Sequence, residues 1–121
     1  MHIKDLIPAL LIAIAAHTSA ADDLTINCMR DGNQQEMNTC AARHYRAADA
    51  ALNIKYGEVM AKLPVTEQAT LRREQRAWLK HRDPQCNAKA RPSEGGSLWP
   101  LAYLSCMQAS TEKRTQELGR R

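Results

Sequence analysis

The sequence contains no phenylalanine, and its 121 residues include only two tryptophans and three tyrosines. With so little ring area, the core has to be built from Leu, Val, Met and Ala, and each aromatic side chain supplies a large share of it. The four cysteines form no C-x-x-C pair and no C-x-x-C-H, and neither His44 nor His81 stands at a ligand-like offset from any of them. Covalent haem is thereby excluded and zinc is disfavoured, so no cofactor or metal is expected. The glycines of "EGGS" (94 to 97) lack the preceding strand and the lysine that would make them a phosphate cradle. No repeat or low-complexity tract is present. The longest apolar run, Leu6 to Ala16, is too short to span a bilayer as a helix, and no second one follows it.

What is present begins with that run. "MHIKDLIPALLIAIAAHTSAA" has a short charged start, an apolar centre and small residues at Thr18, Ala20 and Ala21, the pattern of a cleavable signal peptide over residues 1–21. Removing it takes away one Lys and one Asp, so a mature domain of residues 22–121 keeps the net charge of +4. The residues before Cys28, "TIN", are not those of a lipoprotein signal, so neither a lipid anchor nor a membrane span is expected. An exported domain of this size with four cysteines reads as a disulfide framework with no thiol left over.

Three helices are predicted after Cys28. The first opens at Asn33, an N-cap with Glu36 three residues on, and runs without proline to Leu63. Tyr45, Ala48, Leu52, Tyr56, Val59 and Leu63 fall on one face of it at steps of three and four, and Gly57 is its weak point. Pro64 ends that helix and Thr66 caps a second, expected from Glu67 to about His81 or beyond, with Pro84 disturbing it and Asp83 capping the turn that follows. Ser97 is expected to cap a third, with Pro100 in its first turn and Leu101, Leu104, Met107, Thr111, Arg114 and Leu118 turned inward. The fold class is therefore all-α: a small three-helix domain on a long helical hairpin, with the third helix near the hairpin's open end.

The second helix poses the main question about a site. Its stripe is Gln75, Trp78, Arg82 and Cys86, hardly a plain apolar face. In a hairpin turning at residues 64 and 65, Trp78 lies opposite Ala51 and Leu52, where small alanines leave room for the indole, and Arg82 lies near Asp49. Buried Trp and paired Arg at helical spacing are mostly architecture, so Tyr45, Leu52, Tyr56, Gln75, Trp78 and Arg82 are read as structural core, with Arg82 paired to Asp49 or Asp83. No Ser, Cys or acid accompanies either histidine in a recognisable triad, and Asp49, Asp83, Glu94 and Glu112 read as caps, surface pairs or loop residues. No catalytic residue is assigned and no enzyme is expected.

The ordered set Cys28, "EMNTCA" (36 to 41), Tyr45, Ala48–Asp49, "LNIKY" (52 to 56), Gln75, Trp78, "RDPQC" (82 to 86), "GGS" (95 to 97), Cys106, Thr111, Arg114 and Leu118 resembles the LprI-type lysozyme-inhibitor family over nearly all of the mature chain. The resemblance implies an exported, α-helical, disulfide-bonded domain that resides in the periplasm or envelope and inhibits a lysozyme. The family's name comes from a lipoprotein, whereas this chain has no lipid-attachment cysteine, so anchoring is not carried over. No inhibitory motif maps onto it residue by residue.

For the disulfides, pairing Cys28 with Cys40 and Cys86 with Cys106 closes two short loops and is the expected connectivity. Pairing Cys40 with Cys86 and Cys28 with Cys106 also fits a hairpin whose helix ends meet. Two partner classes follow. A lysozyme or other cell-wall hydrolase would meet the segment "NAKARPSEGGSLW" (87 to 99), where Lys89, Arg91, Glu94 and Trp99 are the candidate contacts for a cleft lined by carboxylates. Anionic envelope material would instead meet the basic residues Arg72, Arg73, Arg76, Arg120 and Arg121. Nucleic acid is not expected, because no base-reading motif is present.

Overall fold

The computed structural model describes residues 26–28 and 32–121. The segment read as a signal peptide lies outside the described residues. Among the described residues three helices follow one another, α1 (Gln34–Lys62), α2 (Val65–Ala90) and α3 (Trp99–Leu118), with a short 3-10 turn at Arg91–Ser93 between the last two. No strand is present among the described residues, and the fold is the all-α, three-helix one that the periodicities predict.

Helix α1 starts where its cap directs. The Asn33 side-chain oxygen accepts the Glu36 amide at 2.9 Å, satisfying one of the donors that a helix start leaves open. At the other end Leu63 leaves the helix in an extended conformation. There Gln68 Nε2 donates to the carbonyls of Met60 at 2.9 Å and Leu63 at 3.0 Å, closing the end of α1 from the start of α2. Gly57 sits in the middle of α1, exposed, with nothing within 4 Å of where a Cβ would stand. Gly57→Ala is expected to raise stability by about 0.5–1 kcal/mol, read as a higher urea midpoint with an unchanged slope.

Helix α2 departs from expectation at both ends. It begins at Val65 with Pro64 as N-cap and no side-chain cap, so Thr66 does not cap it. The Thr66 carbonyl instead accepts from the Thr70 hydroxyl. Nor does α2 break at Pro84: it continues to Ala90, and Asp83 does not cap a new turn but pairs with Arg82. A proline inside a helix deprives the carbonyl four residues earlier of its donor, here that of Lys80. Lys80 and Pro84 both lie on the exposed face, where solvent takes over that carbonyl. Arg82, Cys86 and Ala90, buried on the opposite face, hold the helix in line.

Ser97 is not the cap of α3 either. That helix starts after Leu98 without a side-chain cap, and Ser97 uses its carbonyl to accept from Asn38 Nδ2 at 3.1 Å. Pro100 occupies the first turn, as predicted. Gly95, at φ 80°, gives the chain the left-handed residue with which it leaves the 3-10 turn.

The packing order is the larger correction. Helix α3 is not confined to the open end of the hairpin. It runs from the Asn38–Ser97 contact at that end to Leu118, which joins Leu52, Val59 and Leu71 in the core beside the α1–α2 turn. It therefore lies parallel to α1 and antiparallel to α2, and among the described helices the most extensive backbone packing is between α1 and α3. Small side chains make that packing possible: Ala41 and Ala48 are buried, whereas Ala51, expected to leave room for the Trp78 indole, is exposed and lines the α1–α3 groove together with Ala47. Helices α1 and α2 stay further apart, with larger side chains filling the space between them.

Candidate functional site

The space between α1 and α2 is organised by one cation. Arg82 is 8% exposed, and its Nε donates to Asp83 Oδ1 at 3.1 Å. Its Nη1 donates to Asp49 Oδ1 on α1 and to the Thr111 hydroxyl on α3, each at 3.3 Å. The guanidinium carbon lies 5.5 Å from the centre of the Tyr45 ring and 5.2 Å from that of Trp78. All three helices thus meet at a single positive charge held by two carboxylates, a hydroxyl and two rings.

The electrostatics follow from that arrangement. Burial works to lower the Arg82 pKa, but hydrogen bonds to Asp83 and Asp49 outweigh it, and the net shift is upward. Burial raises the Tyr45 hydroxyl above its ordinary value, with Arg82 opposing and Asp49 and Asp83 reinforcing. Burial also raises Tyr103, with Asp83 adding to the rise and Arg82 opposing it. At neutral pH the arginine is charged and both phenols are neutral. None of the three titrates near neutrality, so the cluster stiffens the bundle and moves no proton.

A second polar bridge lies two turns along α2 toward the turn. Gln75 is 7% exposed, and its Oε1 accepts from Arg114 Nε at 2.9 Å. Arg114 Nη1 meets Glu117 Oε2 at 3.3 Å, while Arg114 Nη2 is buried without a hydrogen-bond partner. Periodicity placed Gln75 and Arg114 on inward faces, but the 39 residues between them hid their pairing.

Of the other residues read as core, Leu52 is fully buried, and Tyr45, Tyr56 and Trp78 are half-buried. The cysteines pair sequentially, Cys28 with Cys40 at a Cα separation of 5.6 Å and Cys86 with Cys106 at 5.5 Å. Cys86 and Cys106 tie α2 to α3 and bracket the segment 87–99. Only part of that segment is loop: Lys89 stands in the last turn of α2 and Arg91 in the 3-10 turn. Lys89, Arg91 and Glu94 are exposed, as is Leu98. Trp99 is half-buried and stacks on Tyr103 with ring centres 5.0 Å apart and planes 7° from parallel. The contact pair Trp99–Tyr103 had no signal beyond its four-residue spacing.

Among the described residues no group of three or more His, Cys, Asp or Glu side chains converges on a metal position. No described helix is long and apolar enough to cross a membrane.

The family model described as "Lysozyme inhibitor LprI" matches residues 27–118, a span that includes all four cysteines and the Arg82 cluster. An uncharacterised protein of Rhizobium meliloti is 34% identical over 125 residues, covering 92% of this chain and 90% of the relative. The uncharacterised protein YecT of Escherichia coli is 31% identical over 130 residues, covering 88% of this chain and 80% of its own length. No solved structure matches the chain. With the family model matched from just before the first cysteine to the last buried leucine, the chain belongs to the LprI lysozyme-inhibitor family.

Proposed function

We propose that this protein is exported and inhibits a lysozyme-type cell-wall hydrolase by protein–protein binding, with the disulfide-bracketed segment 87–99 as its contact surface. The observation that carries this reading is the family match over residues 27–118. The local geometry supports it. A segment fixed at both ends by the Cys86–Cys106 bond and stiffened by the Trp99–Tyr103 stack loses little freedom on binding, which lowers the ordering cost of association. Exposed Lys89 and Arg91 suit a cleft whose chemistry depends on carboxylates, and a half-exposed Trp is the side chain most often found at an energetic centre of an interface. The net charge of +4 works against steering toward a strongly basic lysozyme, so association is expected to be slower than for an acidic inhibitor of similar affinity.

The test is lysis of a cell-wall suspension by several lysozyme classes, with and without the purified, oxidised protein, over a range of salt. Saturable inhibition of one class that survives moderate salt is expected, because shape-complementary contacts are screened far less than exposed charge pairs. Trp99→Ala is expected to weaken that inhibition by about tenfold or more with the helical circular dichroism unchanged. Absence of inhibition against every class would sink the proposal. Salt-sensitive binding to the wall itself would point to the basic surface that includes Arg72, Arg73 and Arg76.

A further inference from the structure

A groove on the α1–α2 face, away from segment 87–99, has the makings of a ligand site that the inhibitor reading does not use. Its volume is about 320 Å³, at the lower end of the range for small-ligand sites. Its floor and sides are apolar where Leu52, Tyr56 and Leu79 line it, and polar where Asn53 and Gln75 do. Arg72 and Arg76, one helical turn apart on α2, form one rim. Both are exposed, and neither makes an ion pair or hydrogen bond among the described residues.

Gln75 lies between those two arginines in the chain and is more than nine-tenths buried. Its Oε1 is taken by Arg114 Nε, which fixes the planar amide and leaves Nε2 as the free donor. That nitrogen makes no hydrogen bond among the described residues. Among the described residues Arg114 Nη2 is the buried side-chain nitrogen left without a partner, so Gln75 Nε2 is open to solvent and can offer its donors to a ligand in the groove. Two unpaired guanidinium groups beside it specify the acceptor's charge as negative.

Asp49 lines the same groove and is already bound to Arg82. It stands seven residues from Tyr56, about 10 Å along α1 at the helical rise, so the groove has an acidic end and a basic end. An anion is held at the second, while the Asp49 carboxylate, largely neutralised by Arg82, offers acceptor oxygens at the first. The walls between them offer hydrogen-bonding amides as well as apolar surface.

We infer that this groove binds the C-terminal carboxylate of a short peptide bearing apolar side chains. The carboxylate sits against Arg72, Arg76 and the Gln75 amide, an apolar side chain lies on Leu52, Tyr56 and Leu79, and the peptide backbone runs past Asn53 toward Asp49. A fatty acid would share the carboxylate and the apolar body but would leave the Asn53 amide and the Asp49 end unused.

The experiment is an NMR titration of the purified, oxidised protein with trileucine, trileucine amide and octanoate. Saturable amide shifts centred on residues 49–56 and 72–79 are expected with trileucine, and removal of its carboxylate charge in the amide is expected to weaken binding by about tenfold or more. Arg72→Gln and Arg76→Gln are each expected to weaken it by about fivefold or more, and both side chains are exposed, so the variants keep the fold. Equal binding of acid and amide, shifts elsewhere, or no saturation at about 10 mM, which corresponds to a negligible affinity, would each overturn the inference. Tighter binding of octanoate than of trileucine would overturn the choice of a peptide. The titration reads out in the absence of any lysozyme, so its result and that of the lysis assay are independent.

Discussion

Arg82→Ala is expected to lower the stability of the domain by about 3 kcal/mol, a melting temperature drop of roughly 15–20 °C for a domain of this size. The residue is 8% exposed and joins all three helices. Truncation removes the guanidinium that lies against the Tyr45 and Trp78 rings, and it leaves the fully buried Thr111 hydroxyl without its donor. The loss stays at the low end of the roughly 3–5 kcal/mol typical of a broken buried ion pair, because Asp49 and Asp83 are 39% and 52% exposed and water can take over their solvation.

The same reasoning ranks the alternatives. Arg82→Met keeps the buried aliphatic stem and gives up the charge and three hydrogen bonds, so it is expected to cost about half as much as alanine. Arg82→Lys keeps the charge but loses the planar fork that reaches Asp83 from one nitrogen and Asp49 and Thr111 from another, and should fall close to Met. Urea unfolding of the three variants checks the order. A methionine variant as unstable as the alanine one would mean that the polar bonds, rather than the packing of the stem, hold the helices together here.

Much of this arrangement is legible in the sequence, and what is not has a common cause. The three helices, the Asn33 cap, Pro64 as the break, the inward stripe from Gln75 to Cys86 and the Arg82–Asp49 pairing all follow from spacing, because each depends on residues a turn apart or on a hairpin's register. The misplaced local features, Pro84 as a disturbance and Thr66, Asp83 and Ser97 as caps, were local rules applied where longer-range contacts decide. Helix α2 crosses Pro84 because Cys86 and Ala90 beyond it are buried, a fact about α3 and not about the dipeptide. The turn end of α1 is closed by Gln68, a residue with no standing in capping patterns, because only the folded turn brings its amide to the Met60 and Leu63 carbonyls. The position of α3 was lost for the same reason: alanines at 41 and 48 look like filler in one helix and become the close-approach surface only once a second helix lies along them. In the groove between α1 and α2 the unpaired Gln75 amide was invisible, since seeing it requires knowing that Arg114 has taken the oxygen.

The two disulfides are expected to differ in their effect although chain entropy makes them nearly alike. With sequence separations of 12 and 20, each bond is expected to stabilise the fold by about 3 kcal/mol by limiting the unfolded chain. The folded state separates them. Cys28 precedes α1 and ties down the entry segment, whereas Cys86 is fully buried on the core stripe of α2 and fastens that helix to α3. Replacing Cys86 and Cys106 with serine therefore adds a buried hydroxyl in need of a partner to the lost cross-link, for a total of about 4 kcal/mol. Replacing Cys28 and Cys40 is expected to cost about 3 kcal/mol or less. A domain of this size has only about 5–15 kcal/mol in total, so the first variant should be marginal near body temperature and the second should not. Thermal unfolding of the two double variants decides it. In the lysis assay the Cys28/Cys40 variant is expected to retain inhibition, because segment 87–99 keeps both of its anchors. The Cys86/Cys106 variant is expected to lose it even at temperatures where its helices persist, since the segment is then held at neither end by a covalent bond. Equal melting temperatures for the two variants would mean that the bonds act only on the unfolded chain, with the buried position of Cys86 of no consequence.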